Sequence, residues 1–227
     1  MTTVAVLPVK RFGAAKQRLD PELSTAARRM LAEAMVTDVL TALRRARRVD
    51  AIAVVTGESS VEVLARGHGA DTIADPDDAG HVPAALLGVR WAAERGAERV
   101  LLVPGDCPAA RPTELDELLE PTRSGPPGAS EVVIVPDRHG TGTNALVLRP
   151  PGVIAPSFGP GSRERHEAAA RAAGAALRIA RPASLVLDVD TADDLAALRA
   201  ELGRRTGAAA HTRGLLARMR RTGSGAT

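Results

Sequence analysis

The stretch RVLLVPGDCP, Arg99 to Pro108, ends an apolar run at a glycine and follows it at once with Asp106. Desolvating a carboxylate beside a core is costly unless it is paired, hydrogen-bonded or bound to a metal. Asp106 therefore needs a cation or a network, the plain alternative being a turn or N-cap aspartate. A second apolar run, Leu185-Val186-Leu187, also leads into acids, Asp188 and Asp190. Read as a strand, it points both carboxylates to one face, because side chains repeat every two residues. Asp106, Asp188 and Asp190 then make a hard, oxygen-rich site that suits Mg²⁺ or Mn²⁺ and does not suit zinc.

Cations stand ready for an anion elsewhere in the chain. The run Val4 to Leu7 leads into PVKRFGAAKQRL, where Lys10, Arg11, Lys16 and Arg18 fall within nine residues. A loop at that strand's carboxyl end can turn them toward a polyphosphate at the same sheet edge as Asp106; a solvated loop is the alternative. Two glycine turns add anion-binding capacity. Gly140-Thr141-Gly142-Thr143-Asn144-Ala145 precedes a strand, which excludes a dinucleotide fingerprint and leaves either a nest of N–H groups or a simple hairpin turn. Phe158-Gly159-Pro160-Gly161-Ser162 opens onto a helix, where free N–H groups and the helix dipole favour phosphate or carboxylate, or where Ser162 is only an N-cap. No Walker sequence is present. Cations, carboxylates and anion turns at one edge point to metal-assisted phosphoryl or nucleotidyl transfer.

The elements that must position these groups alternate between strand and helix, the signature of βαβ units. Strands are expected at 4–7, 51–55, 72–74, 100–103, 131–135, 144–148, 176–179 and 185–187. Helices are expected at 26–45, 60–66, 83–94, 113–119, 163–172 and 192–202. Together they predict one α/β domain, a mixed, mostly parallel sheet with helices on both faces. Thr191 and Asp194 form a capping-box pattern that starts the last helix directly after Asp190. The Ser124-Gly125-Pro126-Pro127-Gly128 stretch reads as a surface loop. Trp91 reads as a core anchor, with ligand stacking the lesser alternative, and Cys107 as a small packing residue, since no motif supplies it with a histidine.

The chain has 227 residues, enough for one large domain at 1–202. One Cys and five scattered His offer no disulfide framework and no zinc spacing, which fits a reducing cytoplasm. The amino terminus lacks the pattern of a signal peptide, and no run approaches the ~20 apolar residues that span a bilayer. Net charge is +3, yet residues 203–227 hold six Arg and no acid, which leaves −3 on the rest. With two Phe, one Trp and no Tyr, the chain lacks a stacking platform for nucleic acid. The Arg-rich tail is expected to be a disordered extension, or else a short helix around Leu215, Leu216 and Met219 that docks on a partner or an anionic surface.

PVKRFGAAKQRL, LLVPGDCP, DRHGTGTNAL, FGPGS and DVDTADDL, in that order, resemble the guanylyltransferase family of deazaflavin coenzyme (factor 420) biosynthesis, most of all its actinobacterial branch, which acts on phosphoenolpyruvate. The likeness covers about residues 3–202. It implies a nucleotide-diphospho-sugar-transferase-like fold and the reaction of GTP with phosphoenolpyruvate to give enolpyruvyl-diphospho-guanosine and pyrophosphate. In the archaeal branch 2-phospho-L-lactate is the acceptor. Carried over by motif, Asp106, Asp188 and Asp190 would hold Mg²⁺, two ions being expected; Thr143, Gly159 and Ser162 would bind phosphoenolpyruvate; Lys10, Lys16 and Arg18 would face the GTP phosphates, with Asp106, Lys10 and Arg18 as the catalytic set. Gly80-His81-Val82-Pro83 stands where the family usually has Gly-Leu-Asn. A homodimer and a contact with the next transferase of the pathway are further expectations of the resemblance. Other nucleotidyltransferases of the same fold, and a nucleotide- or RNA-binding module working through the basic tail, are the alternatives.

Overall fold

The computed structural model describes residues 1–12, 16, 19, 23–120, 128–204 and 207–223. Among these, β1 (Thr3–Pro8), β2 (Ala51–Thr56), β3 (Asp71–Ala74), β4 (Arg99–Leu102), β5 (Glu131–Pro136), β6 (Thr143–Arg149) and β7 (Ala176–Ile179) form one sheet in the order β3-β2-β1-β4-β6-β5-β7. β1 pairs in parallel with β2 and β4, β2 with β3, and β5 with β7; β6 runs antiparallel to β4 and β5. The sheet is thus mixed and mostly parallel, as expected. The reversal of β6 has a consequence for function. It puts the first residue of β6, Thr143, at the sheet edge where β1 and β4 end.

The helices are α1 (Thr25–Arg45), α2 (Ser59–Gly67), α3 (His81–Glu94), α4 (Pro112–Leu118), α5 (Ser162–Ala172), α6 (Ala192–Arg204) and α7 (Ala210–Gly223). Period-two alternation splits the buried strands between two cores. Ala5, Leu7, Leu101 and Val133 pack with Val36, Leu40 and Leu115 from α1 and α4 on one face; Val4, Val6, Leu102 and Ile134 pack with Ala85, Val89 and Ala170 from α3 and α5 on the other. Trp91 rests on this second core with the Arg95 guanidinium 3.9 Å from its ring centroid, so it anchors packing. No described helix is long and apolar enough to cross a membrane.

Two expectations are corrected. Leu185–Leu187 forms no strand, and residues 181–190 run as turn and irregular chain. The backbone groups that a ladder would pair are satisfied otherwise: Leu185 N–H bonds Pro182 O at 3.0 Å, Leu185 O accepts from Asn144 Nδ2 at 2.9 Å, and Val189 N–H bonds Asp106 O at 3.1 Å. Leu185 and Val189 remain fully buried, so the apolar run fills the core without joining the sheet.

In the tail, residues 210–223 form α7, so this stretch follows the helix alternative and not the disordered extension. Leu215 and Leu216 are buried with Leu31, Met35, Leu195 and Leu198 in a third cluster. The Asp38 carboxylate of α1 accepts from His211 N at 3.0 Å and Thr212 N at 2.8 Å, which satisfies two of the N–H groups a helix start leaves open. Of the proline-rich loop, residues 124–127 lie outside the described residues, as does Arg205 of the tail.

Candidate active site

Asp106 lies in the turn that follows β4. Gly105 lets that turn rest on α1, since a Cβ there would meet Val36 Cγ2 at 2.9 Å. Lys16 Nζ sits 2.6 Å from Asp106 Oδ2 and 2.8 Å from Asp190 Oδ1, with its side chain 9% exposed. Burial alone would lower the lysine pKa, but the charges of Asp106 and Asp190 prevail and hold it above its ordinary value. The backbone at Lys16 is left-handed, φ 58°, a conformation that costs a non-glycine residue about 1 kcal/mol or more.

Asp190 is placed by the start of α6. Asp194 Oδ2 accepts from Asp190 N at 3.1 Å, Thr191 N at 2.8 Å and Thr191 Oγ1 at 2.7 Å, while Asp194 N–H donates to Thr191 Oγ1 at 3.3 Å. The expected capping box is therefore present. Burial pushes the Asp194 carboxyl up, yet these bonds and Arg138, 2.8 Å from Oδ1, leave it below its usual value. Arg138 went unseen in the sequence, since its partner is far along the chain.

Asp188 behaves differently from its neighbours. Its Oδ1 accepts from Asn144 Nδ2 at 3.2 Å, and burial, then the charge of Asp106, raise its pKa to about 6. The three expected carboxylates thus share a corner, but the cation between two of them is Lys16. Among the described residues no group of three His, Cys, Asp or Glu is arranged as it stands to hold a metal ion. Asp106 Oδ1 is nonetheless buried without a hydrogen-bond partner, so the corner has an unused hard oxygen. Cys107 is fully buried, its thiol bonded to Leu185 O at 3.6 Å and pushed well up by burial, which fits packing and not nucleophilic attack.

Lys16, Asp106 and Asp190 line a cavity of about 460 Å³ with Lys10, Met35 and His81. Lys10 is exposed. Arg11 turns away to donate to Pro76 O at 3.0 Å, and Arg18 lies outside the described residues. Glu58 pins the loop after β1: it accepts from Phe12 N, from Arg29 at 3.0 Å and from Ser60 Oγ at 2.6 Å. In the sequence Glu58 looks only like the start of α2, and nothing local signals that it reaches back to Phe12.

Across the cavity, His81 meets Phe158 edge to face at 4.7 Å between centroids, and Phe158 meets His166 at 5.4 Å. This ring contact joins the cavity to the turn that opens α5. The two glycine turns are narrower sites than the sequence suggests. Gly140 to Thr143 closes the β5–β6 hairpin, and two of its N–H groups are already used: Gly140 N bonds Asp137 O at 3.1 Å and Thr141 N bonds Asp137 Oδ1 at 2.9 Å. The nest holds the protein's own carboxylate. At α5, Ser162 N bonds Gly159 O at 3.0 Å and Arg163 N bonds Thr141 O at 3.2 Å, so the helix-start amides at those two positions are taken.

Hydroxyls remain. Gly161 is the N-cap, in the left-handed region at φ 68°, and Gly159 has φ 110°; glycine allows both conformations without strain. That turn frees Ser162 from capping. Its Oγ is buried without a hydrogen-bond partner, on the same side of the sheet edge as Thr143, whose Oγ1 lies 3.0 Å from His166 Nδ1.

A family model described as guanylyl transferase CofC like matches residues 3–221. The chain belongs to that family. This guanylyltransferase-family chain is 50% identical over 224 residues to the phosphoenolpyruvate guanylyltransferase of Conexibacter woesei, with 98% of each chain covered. It is 41% identical over 197 residues to the phosphoenolpyruvate guanylyltransferase of Sphaerobacter thermophilus, covering 86% of this chain and 91% of that one. Among solved structures, a nucleotidyl transferase from Methanothermobacter thermautotroptrophicus superposes with a TM-score of 0.63 at 21% identity, over 89% of this chain and 98% of that one. The fold is that of nucleotidyltransferases, and the family places the chain among enzymes.

Proposed function

We propose that the protein transfers GMP from GTP to phosphoenolpyruvate, releasing pyrophosphate. The observation that carries this reading is the union of two unlike sites at one sheet edge: a cation-and-carboxylate corner at Lys16, Asp106 and Asp190, and a hydroxyl pair at Thr143 and Ser162, joined through His81 and Phe158. A triphosphate suits the first and an acceptor anion the second. The names of the two relatives support the choice of substrates.

An oxygen of the acceptor's phosphate attacks the α-phosphorus of GTP, a new P–O–P bond forms, and the bond to the β-phosphate breaks with pyrophosphate leaving in line. A phosphate monoester is already ionised at neutral pH, so the step requires no protein base. The difficulty is one anion approaching another. Lys10 and Lys16 line the cavity and lower that repulsion, Arg18 joins them by motif, and Thr143, Gly159 and Ser162 hold the acceptor at the α5 turn.

The unused Oδ1 of Asp106 and the oxygen-only donor set of Asp106, Asp188 and Asp190 fit a hard divalent cation, and these residues would hold Mg²⁺. When bound, Mg²⁺ neutralises charge on the phosphates. Lys16 now satisfies Asp106 and Asp190 as a resident cation, which keeps the corner formed in the free protein.

A coupled pyrophosphate assay tests the reading. Pyrophosphate is expected only when GTP, Mg²⁺ and phosphoenolpyruvate are present together, with ATP, CTP and 2-phospho-L-lactate as comparison arms. Faster turnover with another nucleotide or acceptor overturns the assignment.

A further inference from the structure

His166 is fully buried inside α5. Its two ring nitrogens have different partners. Ser157 N–H lies 2.8 Å from Nε2, and Thr143 Oγ1 lies 3.0 Å from Nδ1. A backbone amide can only donate, so Nε2 must carry a lone pair. In a neutral imidazole the proton is then on Nδ1.

That assignment fixes the direction of the second bond. Nδ1–H donates to Thr143 Oγ1, and the threonine hydroxyl is the acceptor. Among the described residues its own proton has no acceptor besides the ring, and it is free to be given to a ligand.

The surroundings hold the ring in this state. Arg165 donates to Ser157 O at 2.6 Å and to Phe158 O at 3.4 Å, and it also bonds Pro160 O. These bonds fix the segment that presents Ser157 N–H. Phe158 packs edge to face on the His166 ring, and burial, with a lesser contribution from the Arg165 charge, disfavours the imidazolium.

We propose that His166 is a positioning residue that commits the Thr143 hydroxyl to donate toward the acceptor, so that the acceptor subsite presents hydrogen-bond donors and selects an anionic oxygen. This rests on the function proposed above. Ser162 Oγ, buried and partnerless, is the second hydroxyl of the subsite. Two donors favour a carboxylate or phosphate oxygen over a hydroxyl group of similar size.

Two measurements on the full chain test the relay. In protein labelled with ¹⁵N-histidine, the His166 ring is expected as the Nδ1–H tautomer at pH 7; an Nε2–H tautomer overturns the proposal. In steady-state kinetics, His166→Leu is expected to raise KM for phosphoenolpyruvate about tenfold, the equivalent of one ordinary hydrogen bond, with KM for GTP unchanged. His166→Asn, whose amide can offer an N–H near the Nδ1 position, is expected to recover part of the loss. The double variant with Thr143→Val should be no worse than Thr143→Val alone.

Full additivity of the two losses, or an equal rise in KM for GTP, overturns the relay. If His166→Leu fails to fold, the tautomer and His166→Asn decide the question. A wild-type protein that makes no pyrophosphate from GTP and phosphoenolpyruvate refutes the proposed function instead, and the tautomer still decides whether Thr143 is held as a donor.

Discussion

After β4, Lys16, Asp106 and Asp190 meet as full charges 2.6 and 2.8 Å apart; at the start of α5, Thr143, Ser162 and a neutral His166 carry none. Both ends are proposed to receive anions. The first has its cation balanced by the protein's own carboxylates, so binding there rearranges charge. The second keeps its donors aimed and unpaired, so binding there completes hydrogen bonds already oriented. Charge gives strength at the nucleotide end and direction gives selectivity at the acceptor end.

The comparison breaks most sharply at Asp106. Asp106→Asn keeps the shape and removes the negative charge of one of the two carboxylates that hold Lys16, and with it the anionic character of the unused oxygen. Turnover is expected to fall about 10²- to 10³-fold, the scale of losing one preorganised electrostatic contact. A continuous pyrophosphate assay reads the rate, and a thermal melt checks that the variant is folded. A rate within a few-fold of wild type would show that the charged corner is structural.

Acid should act on the uncharged end. The folded-state pKa of His166 is lowered to about 4 from 6.5, first by burial and then by Arg165, which is the charged neighbour on its own helix; Thr143, Ser157 and Phe158 face it from β6 and the loop before α5. A group whose folded state prefers the neutral form contributes full stability above the unfolded pKa. That contribution is lost as pH falls from 6.5 toward 4. Between pH 7 and pH 5 the loss is about 2 kcal/mol. Urea unfolding of wild type and His166→Asn at the two pH values measures it as the difference between the two proteins, because Asp188, raised to about 6, titrates in the same window with the opposite sign in both.

What the sequence made legible was whatever depends on near neighbours. The apolar runs at β1, β2 and β4 to β7 announced strands, and Thr191 with Asp194 announced the α6 cap because the partners are three residues apart. The failures all involve partners distant in the chain. Leu185 reads as a strand until Asn144, 41 residues away, takes its carbonyl. α7 reads as either loose tail or a short helix until Asp38, 173 residues from His211, caps it.

The same holds within the site. Strand ends gathered Asp106 and, through the α6 cap, Asp190. Nothing local told which of four cations would stand between them, or that Asp137 would fill the hairpin nest. His166 did leave a trace: Ser162, His166 and Ala170, spaced by four, are the buried stripe of an otherwise polar helix.

Ser162 offers the finest separation of the two ends, because there function and stability should move in opposite directions. A buried hydroxyl with no partner costs the folded state about 1–3 kcal/mol, and the Ser162 Oγ is such a group. Ser162→Ala removes that cost without creating a sizeable cavity, so the urea midpoint should rise by the equivalent of about 1 kcal/mol. The same change deletes a donor of the acceptor subsite, and KM for phosphoenolpyruvate should rise about tenfold. Asp106→Asn has no such gain to offer, since it leaves the Lys16 ammonium with one carboxylate instead of two. A Ser162→Ala protein with a lower midpoint and an unchanged KM would mean that the hydroxyl serves the fold, and the acceptor would then have to be sought nearer the charged end.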